Sequence, residues 1–397
     1  MNINYLRLKL TKRGFVNKIF SLFCILCAFV PVFLLFTMLF SIFSGAYNGL
    51  QQTKFFIDLD EIGITTKDSR YQIREKLIKY LKIQIPWETD IFTLMNFLSN
   101  YSTHEVMDAI HKEQKKIWIT ISGEGDVLHK YKGTSNPEMR RILKYFDERA
   151  LLKKTFNYKL FTNPDSRDSS QTGIMGALVG SLYTIFVSLL VSFPVGVLTA
   201  LWIGEYLGKG NITRILEVSV NNLSSTPPII FGVLGLSFYI NFLGLPRSSP
   251  LVGGLTLAFM MFPILVISSL HAIRSVPDTI KQAAFALGAS KVQVILHHVL
   301  PLSVPGIMTG TVLGIARIIG ESAPLLMIGM VAFVGNIPSK ITEPANVFAV
   351  QIYIWATSSD IAMTEKTSVI ILILLLLLFL LNCVVYLIRK IFHYDFY

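Results

Sequence analysis

Long apolar stretches, separated by short polar segments, are the dominant pattern along the chain. Six of them reach the length of about 20 residues that a helix needs to cross a hydrocarbon layer. These stretches are residues 19–43, 174–204, 219–243, 251–270, 304–335 and 367–388. We therefore predict an all-α polytopic membrane protein with six transmembrane helices.

The polar region between the first two stretches, residues 46–172, predicts a separate small α+β domain. Helical periodicity runs through 103–114 and 136–154, whereas 115–133 has the pattern of two short strands joined by a Gly-Asp turn. A polar linker, 162–173, then leads back to the membrane.

The chain is thereby predicted to have three parts. Residues 1–45 hold the N-terminal segment and the first transmembrane helix, 46–172 the α+β domain, and 173–397 a core with the other five transmembrane helices.

The charge distribution predicts the orientation of the chain. Only 15% of the residues are charged and 52% are hydrophobic, yet the formal net charge is +11. The first 18 residues hold five basic residues and no acidic one, which favours a cytoplasmic N-terminus. Six crossings then place the basic C-terminus in the cytoplasm and 46–172 outside. Topology explains the positive charge, so we expect no nucleic-acid partner.

The sequence offers little for catalysis or metal binding. His104 and His111 lie seven residues apart on a predicted helix, and we expect them to be solvated or structural rather than metal ligands. No GxxxxGK[ST] motif occurs, so we expect the chain not to hydrolyse ATP itself.

A distinctive spacing of small residues precedes the fifth apolar stretch. Ala283 and Ala284 come shortly before Gly288, and Leu300-Pro301 follows a polar helical segment. Small residues allow close contact with a partner, Gly288 permits a sharp turn, and Pro301 resets the chain before the next span. The alternative is an ordinary basic loop between two spans.

This spacing resembles the cytoplasmic coupling loop of ABC-importer permeases, here residues 273–301. The family pattern is Glu-Ala-Ala, three residues, Gly, nine residues, Ile-x-Leu-Pro. Gln282 stands where the family has Glu, and His298 where it has an apolar residue. The resemblance assigns ATPase coupling to Gln282, Ala283, Ala284, Gly288, Leu300 and Pro301.

Three further segments, 221–258, 297–333 and 350–356, resemble the A-type permease subunit of bacterial phosphate ABC importers. The resemblance extends from about residue 170 to the C-terminus. The 46–172 domain resembles an insertion that a subset of that family carries after the first span, and the resemblance gives it no role.

This resemblance implies a permease of the bacterial inner membrane that moves phosphate by alternating access and is not an enzyme. It implies a homologous second permease, two ATPase subunits that bind ATP-Mg, a periplasmic phosphate-binding protein and the surrounding lipid as partners. It implies no cofactor on this chain.

Two charges interrupt the fifth apolar stretch. Arg317 and Glu321 are four residues apart, so on one helix they share a face and can pair. In a span that begins near Val304, Arg317 lies about 20 Å along the helix, where an unpaired arginine costs at least about 3 kcal/mol. Pro324 predicts a kink just beyond the pair.

Two interpretations of this pair remain open. In one, the pair lines the translocation path: Arg317 binds an oxyanion, and Glu321 is its counter-charge or accepts the proton of monohydrogen phosphate. In the other, the pair is a salt bridge that fixes packing between subunits.

A second polar cluster lies in the third apolar stretch. Asn222, Ser225 and Thr226 precede Pro227-Pro228, which should interrupt the helix and leave backbone groups free. Lining of the path and hydrogen bonding between helices are equally compatible with this pattern.

We predict a permease subunit of an ATP-driven phosphate importer. A permease for sulfate or molybdate is the nearest alternative, and a membrane sensor that uses the external domain is a more distant one.

Overall fold

Within the residues that the structure describes, five long helices and one bent helix pair are long and apolar enough to cross a membrane. The computed structural model describes residues 3–65, 68–131, 136–208, 210–331 and 333–391, with side chains for all of these except 3–16, 19, 388, 389 and 391. The candidate spans are Phe20–Gly49, Met175–Tyr206, Pro250–Arg274, Lys291–Ile319 and Ile361–Leu387, with Asn211–Ser224 and Pro228–Phe242 as the bent pair. The predicted all-α membrane fold is confirmed, and six spans result if the pair is one span.

The first helix leads into a three-stranded antiparallel sheet. The elements are α1 (Ile3–Gly49), β1 (Gln51–Asp58), β2 (Lys116–Thr120) and β3 (Leu152–Phe156), and β1 is the central strand. Phe55 of β1 is opposite Ile119 of β2 and Leu152 of β3. All three side chains are buried, so the strands contribute one face to a common apolar core.

Short helices cover the buried face of this sheet. They are α2 (Leu59–Ile62), α3 (Arg70–Gln84), α4 (Ile91–Phe97), α5 (Ser102–His111), α6 (Gly123–Tyr131), α7 (Pro137–Glu148) and α8 (Lys159–Thr162). Sequence signals explain two of their starts: Ser69 and Gln72 form a capping box on α3, and the Asn136 side chain caps α7. We call residues 50–172 the inserted domain.

The predicted pair of strands in 115–133 is wrong in its second half. Only Lys116–Thr120 is a strand, and the Gly-Asp sequence that was expected to turn lies inside α6. Glu124 and Asp126 lie in the first turn of α6, where negative charge complements the helix dipole. The last two residues of the segment lie outside the described residues.

The two predicted helical segments of the inserted domain are confirmed as α5 and α7. The second ends earlier than predicted, because Ala150 adopts a left-handed conformation with φ 57° and the chain then enters β3. On α5, the ring of His104 stacks on Tyr101 at a centroid distance of 5.2 Å. His111 Nδ1 lies 2.7 Å from the carbonyl oxygen of Met107.

Beyond the inserted domain, α12 packs between α9 and α15. The elements here are α9 (Met175–Leu201), α10 (Asn211–Ser224), α11 (Pro228–Gly235), α12 (Pro250–Arg274), α13 (Asp278–Ala286), α14 (Lys291–Val294), α15 (Leu300–Ile319), α16 (Ala323–Met327), α17 (Phe348–Ala356) and α18 (Ile361–Ile391). A Cβ atom on Gly254 of α12 would lie 2.5 Å from Cβ of Val187 on α9, so only glycine allows this approach.

Two of the predicted apolar stretches are broken into separate helices. The third predicted stretch bends by 93° between α10 and α11, at the Pro227-Pro228 sequence that was expected to interrupt it. The fifth stops at Ile319, and a separate short helix, α16, follows from Ala323. Each break exposes backbone groups that a continuous helix would satisfy.

Buried charges join the inserted domain to the last membrane helix. Lys130 Nζ of α6 lies 2.7 Å from Asp126 Oδ2 and 3.2 Å from Glu365 Oε1 of α18. The adjacent Lys366 donates a hydrogen bond to the backbone carbonyl of Ser169. The exposed fractions of the Lys130 and Glu365 side chains are 2% and 5%, so this contact is a buried ion pair.

Candidate functional site

Arg317 lies in the last turn of a helix that is longer than predicted. The helix begins at Lys291 and not near Val304, because a π-helical turn, Ile295–Val299, joins α14 to α15. Arg317 therefore lies 26 residues, or about 39 Å, along the helix and not 20 Å. Its side chain is exposed on the surface of the single chain.

The predicted ion pair between Arg317 and Glu321 is wrong for this conformation. Helix α15 ends at Ile319, and the backbone N–H of Glu321 bonds to the carbonyl of Ile318 in a turn at 3.2 Å. The four-residue spacing that places two side chains on one helix face therefore no longer applies. Among the described residues, neither side chain forms an ion pair, and Glu321 is half-buried.

Arg317 instead contacts the second polar cluster. Its Nη2 donates a hydrogen bond of 3.3 Å to the backbone carbonyl oxygen of Ser224, the last residue of α10. Carbonyl groups at a helix C-terminus lack partners within the helix, and a cation is favourable there. The two breaks, one after α10 and one after α15, are thus brought together by one guanidinium group.

The hydroxyl groups of the second cluster bond within their own helix end. Ser225 Oγ donates to the carbonyl of Asn221 at 3.0 Å, and Thr226 Oγ1 to the carbonyl of Asn222 at 3.2 Å. The described hydrogen bonds of these hydroxyl groups are therefore not interhelical. The side chain of Asn222 is exposed and makes no described hydrogen bond.

The sequence predicted that Pro324 kinks a helix, but Pro324 lies at the start of one. It occupies the first turn of α16, where its missing N–H is not needed. A Cβ atom on Gly232 of α11 would lie 2.7 Å from the Cα atom of Pro324. The helices that follow the two breaks therefore pack against each other through a glycine and a proline.

The predicted coupling residues lie on and after a short helix, α13. Gly288 follows it with φ +86°, the left-handed conformation that glycine adopts without strain, as the sequence indicated. Ala284 is buried against the ends of neighbouring helices, while Gln282 and Ala283 are exposed.

The sequence predicted that Pro301 resets the chain before the next span, but Leu300 and Pro301 lie within a continuous helix. The helix continues through them, because the π-helical turn Ile295–Val299 ends two residues before Pro301. A wider turn relieves the clash between the proline ring and the preceding carbonyl groups. The C-terminal end of the coupling segment is therefore rigidly connected to α15.

Ionic contacts that the sequence analysis did not identify hold α13 in place. Lys281 Nζ lies 2.6 Å from Glu205 Oε1 at the end of the second span, and both side chains are largely buried. Nearby, Lys291 Nζ lies 4.6 Å from the centroid of the Tyr206 ring. We call the Lys281–Glu205 ion pair the clamp. Its only signal in the sequence was the presence of charges at the edges of apolar stretches.

Two large apolar side chains are exposed at the C-terminal end of α13. Phe285 is 46% exposed and Leu287 90% exposed, at the end of the helix beside Gly288. Large apolar side chains at this exposure, held on a clamped helix, are suited to a protein partner.

Comparison with known proteins identifies the class. Residues 192–394 match the model of the family described as binding-protein-dependent transport system inner membrane component. The chain is 30% identical over 209 residues to the probable ABC transporter permease protein YqgI of Bacillus subtilis, covering 50% of this chain and 70% of that protein. The chain therefore belongs to this family of permease components, which confirms the ABC-importer resemblance.

Two other similarities are more restricted. The chain is 35% identical over 156 residues to phosphate transport system permease protein PstA 1 of Mycobacterium tuberculosis, covering 39% of this chain and 51% of that protein. The matched segment thus spans about half of that relative. A solved MetNI methionine ABC transporter in an inward-facing conformation has 19% identity and a TM-score of 0.45, covering 56% of this chain and 96% of that chain.

Proposed function

We propose that the protein is a transmembrane subunit of an ATP-driven importer of inorganic phosphate and forms half of its translocation path. The observation that carries this proposal is Arg317, which is exposed where two helices end and, among the described residues, is held by one backbone carbonyl. The similarity to a PstA phosphate permease supports phosphate as the substrate.

The chemistry of Arg317 fits an oxyanion. No described carboxylate neutralises its charge, and one hydrogen bond to Ser224 leaves most of its N–H donors available. A guanidinium group can bind two phosphate oxygens at once. The same break exposes the N-terminus of α11, whose partial positive charge also favours an anion.

Glu321 would allow the site to distinguish protonated phosphate from sulfate. Its carboxylate is half-buried beside the break and has no described partner. A protonated phosphate can donate a hydrogen bond to this carboxylate, whereas fully ionised sulfate has no proton to donate and would be repelled. We therefore assign Arg317 to binding and Glu321 to selection.

The exposed position of Arg317 also supports a second permease subunit. Arginine within a membrane segment faces protein or a water-filled cavity, because contact with lipid is costly. No described residue of this chain covers the Arg317 side chain, so a homologous partner subunit would complete the path. Asn222, Ser225 and Thr226, which surround the end of α10, would line the same cavity.

The apolar end of α13 would bind an ATPase subunit. The complex would contain two ATPase subunits and two permease subunits. ATP-Mg would bind to those subunits, because this sequence has no P-loop. Closure of the ATPase dimer would move α13, and the continuous helix from Lys291 to Ile319 would carry the movement to Arg317. A phosphate-binding protein would deliver the substrate from the opposite side.

The proposed orientation follows from the charges. Both termini and α13 would face the cytoplasm of a bacterial cell, and the inserted domain would face outward from the inner membrane.

Uptake by the reconstituted complex tests the function. Proteoliposomes with all partner subunits should accumulate radiolabelled phosphate only with internal-face ATP, and excess sulfate or molybdate should not compete. Absence of ATP-dependent phosphate uptake would disprove the proposal. Equal competition by sulfate would instead assign the protein to oxyanions in general. Glu321→Gln should keep phosphate uptake measurable but weaken its selectivity over sulfate, and Glu343→Gln serves as a control.

A further inference from the structure

A large cavity lies between the inserted domain and the ends of the first and last membrane helices, α1 and α18. Its volume is about 940 Å³, within the range of ligand-binding sites. The inserted domain contributes Asn100 and Glu124 to its wall, α1 contributes Gly45, and α18 contributes Ile361 and Glu365. None of the residues assigned to transport lines this cavity.

Two arginines without a carboxylate partner line this cavity. Arg74 of α3 donates to the carbonyl oxygen of Met95 at 3.2 Å and to the side-chain oxygen of Asn100. The Arg167 guanidinium lies over the Phe333 ring, 5.5 Å from its centroid. Neither makes an ion pair with a described residue, so the cavity wall has positive charge available for a phosphate group.

Carboxylates without a cationic partner line the same cavity. Glu124 makes no described hydrogen bond, and the Asp360 carboxylate accepts one hydrogen bond, from the N–H of Ala362 at 2.9 Å. Asp168 differs, because it already accepts hydrogen bonds from Ser99, Asn100 and Ser170. Glu124 and Asp360 are therefore available to a ligand ammonium group.

The charged side chains of the wall match a ligand that carries both a phosphate group and an ammonium group. Inorganic phosphate would satisfy the two arginines but would be repelled by Glu124 and Asp360. A zwitterionic phosphoethanolamine group has both charges and can donate hydrogen bonds through its ammonium.

The surroundings of the cavity indicate a lipid as the source of this group. Helices α1 and α18 pack tightly beside it, since a Cβ atom on Gly45 would lie 2.6 Å from Ser368 Oγ. Along α1 from this point, Phe43 and Phe40 are 55% and 68% exposed, and both lie in a candidate span. Acyl chains can cover these rings while the headgroup remains in the cavity.

We propose that this cavity binds the headgroup of phosphatidylethanolamine, with the phosphate at Arg74 and Arg167 and the ammonium at Glu124 and Asp360. The lipid would fill the space between the inserted domain and the α1–α18 pair. The proposal does not depend on the transported substrate.

Native mass spectrometry of the purified full-length chain tests this site. Delipidated protein receives phosphatidylethanolamine, phosphatidylcholine or phosphatidylglycerol with identical acyl chains. We expect phosphatidylethanolamine to be retained at least tenfold more than phosphatidylglycerol, which has no ammonium. Arg167→Gln should lower retention of phosphatidylethanolamine at least tenfold, and Glu124→Gln should remove its advantage over phosphatidylglycerol.

Matched variants separate the site from general charge effects. Lys144→Gln and Glu148→Gln change an exposed ion pair on α7 that does not line the cavity, and both should retain lipid as the unmodified protein does. Arg167→Lys keeps the charge and should give intermediate retention, with size-exclusion profiles showing that all variants are folded. Equal retention of the lipids by the unmodified protein, or normal retention by Arg167→Gln, would overturn the proposal. Arg167-dependent binding of inorganic phosphate without lipid selectivity would overturn the lipid identity.

Discussion

Arg317 Nη2 and the carbonyl oxygen of Ser224 lie 3.3 Å apart, although 93 residues separate them in the chain. This hydrogen bond connects the end of α15 to the end of α10, where both helices stop inside the membrane part. A single side chain therefore joins the polar residues of the fifth apolar stretch to those of the third. Its loss should affect both the fixed geometry of the breaks and the charge offered to an anion.

Replacing Arg317 should separate these effects. Arg317→Ala should lower phosphate uptake about 10- to 100-fold, because a hydrogen bond to a charged group contributes roughly 1.5 to 3 kcal/mol. Arg317→Lys should restore part of the uptake, since it keeps the charge and loses the planar fork. The measurement is ATP-dependent uptake by proteoliposomes, with assembly checked by co-purification. Failure of Arg317→Ala to assemble, or its normal transport, would favour the packing interpretation.

The contact between Gly232 and Pro324 should tolerate no added side chain. Gly232→Ala places a Cβ atom 2.7 Å from the Cα atom of Pro324, so α11 and α16 must move apart. We expect lower uptake and a destabilisation of about 1 to 3 kcal/mol. Gly320→Ala is the control, because nothing lies within 4 Å of its Cβ position. Equal thermal stability of the two variants would contradict the tight packing at Gly232.

The clamp between Lys281 and Glu205 should determine coupling. Lys281→Ala leaves a largely buried carboxylate without its partner and frees α13 from the second span. We expect uptake to fall more than the ATPase activity of the complex, because hydrolysis becomes uncoupled from transport. The exchanged pair, Lys281→Glu with Glu205→Lys, should recover part of the coupling. Gln282→Glu, which alters only an exposed side chain, should leave coupling intact.

The buried charges between α6 and α18 should contribute unequally to stability. Lys130→Ala removes the cation that lies 2.7 Å from Asp126 and 3.2 Å from Glu365, and breaking such a buried pair costs about 3 to 5 kcal/mol. Glu365→Ala should cost less, because Lys130 keeps Asp126 at 2.7 Å. Thermal unfolding in detergent measures both. Lys144→Ala at an exposed pair should change stability by less than about 1 kcal/mol.

Alkaline pH should destabilise the inserted domain through Tyr80. Burial, with the nearby Glu61 carboxylate, raises the pKa of Tyr80 to about 12 from an ordinary value of 10.0. Below pH 10 both the folded and the unfolded chain keep the proton, so this group has no effect on stability. As the pH rises from 10 to 12, the unfolded chain ionises first, and the free energy of unfolding falls. In Tyr80→Phe, the hydrogen-exchange protection of α3 should fall less between pH 10 and 12, because this ionisation is absent. An unchanged pH profile would refute the assignment.

The membrane fold was predictable because its signals are local. Apolar length alone indicates the spans, and Gly288 was correctly expected to permit a turn after the small-residue helix. The prolines were informative where they stop a helix, as at Pro227-Pro228. They misled at Pro301, because a π-helical turn upstream accommodates the ring, and at Pro324, which starts a helix.

The inserted domain shows a limit of periodicity in short segments. The pattern of 115–133 favoured two strands, yet α6 forms because its charged residues complement the helix dipole and meet α18. The charges on α18 lie more than 200 residues away, so no local pattern contains that information. The clamp of Lys281 by Glu205 was missed for the same reason.

The sequence by itself determined the class of protein, the number of apolar stretches and the residues worth attention in the membrane. These properties depend on composition and on spacing along the chain. Only the tertiary structure decided which groups meet: it separated Arg317 from Glu321 by ending α15 at Ile319, and joined Arg317 to Ser224. Contacts between distant residues depend on where helices stop and how they pack, and backbone groups freed at those stops are invisible in a sequence pattern.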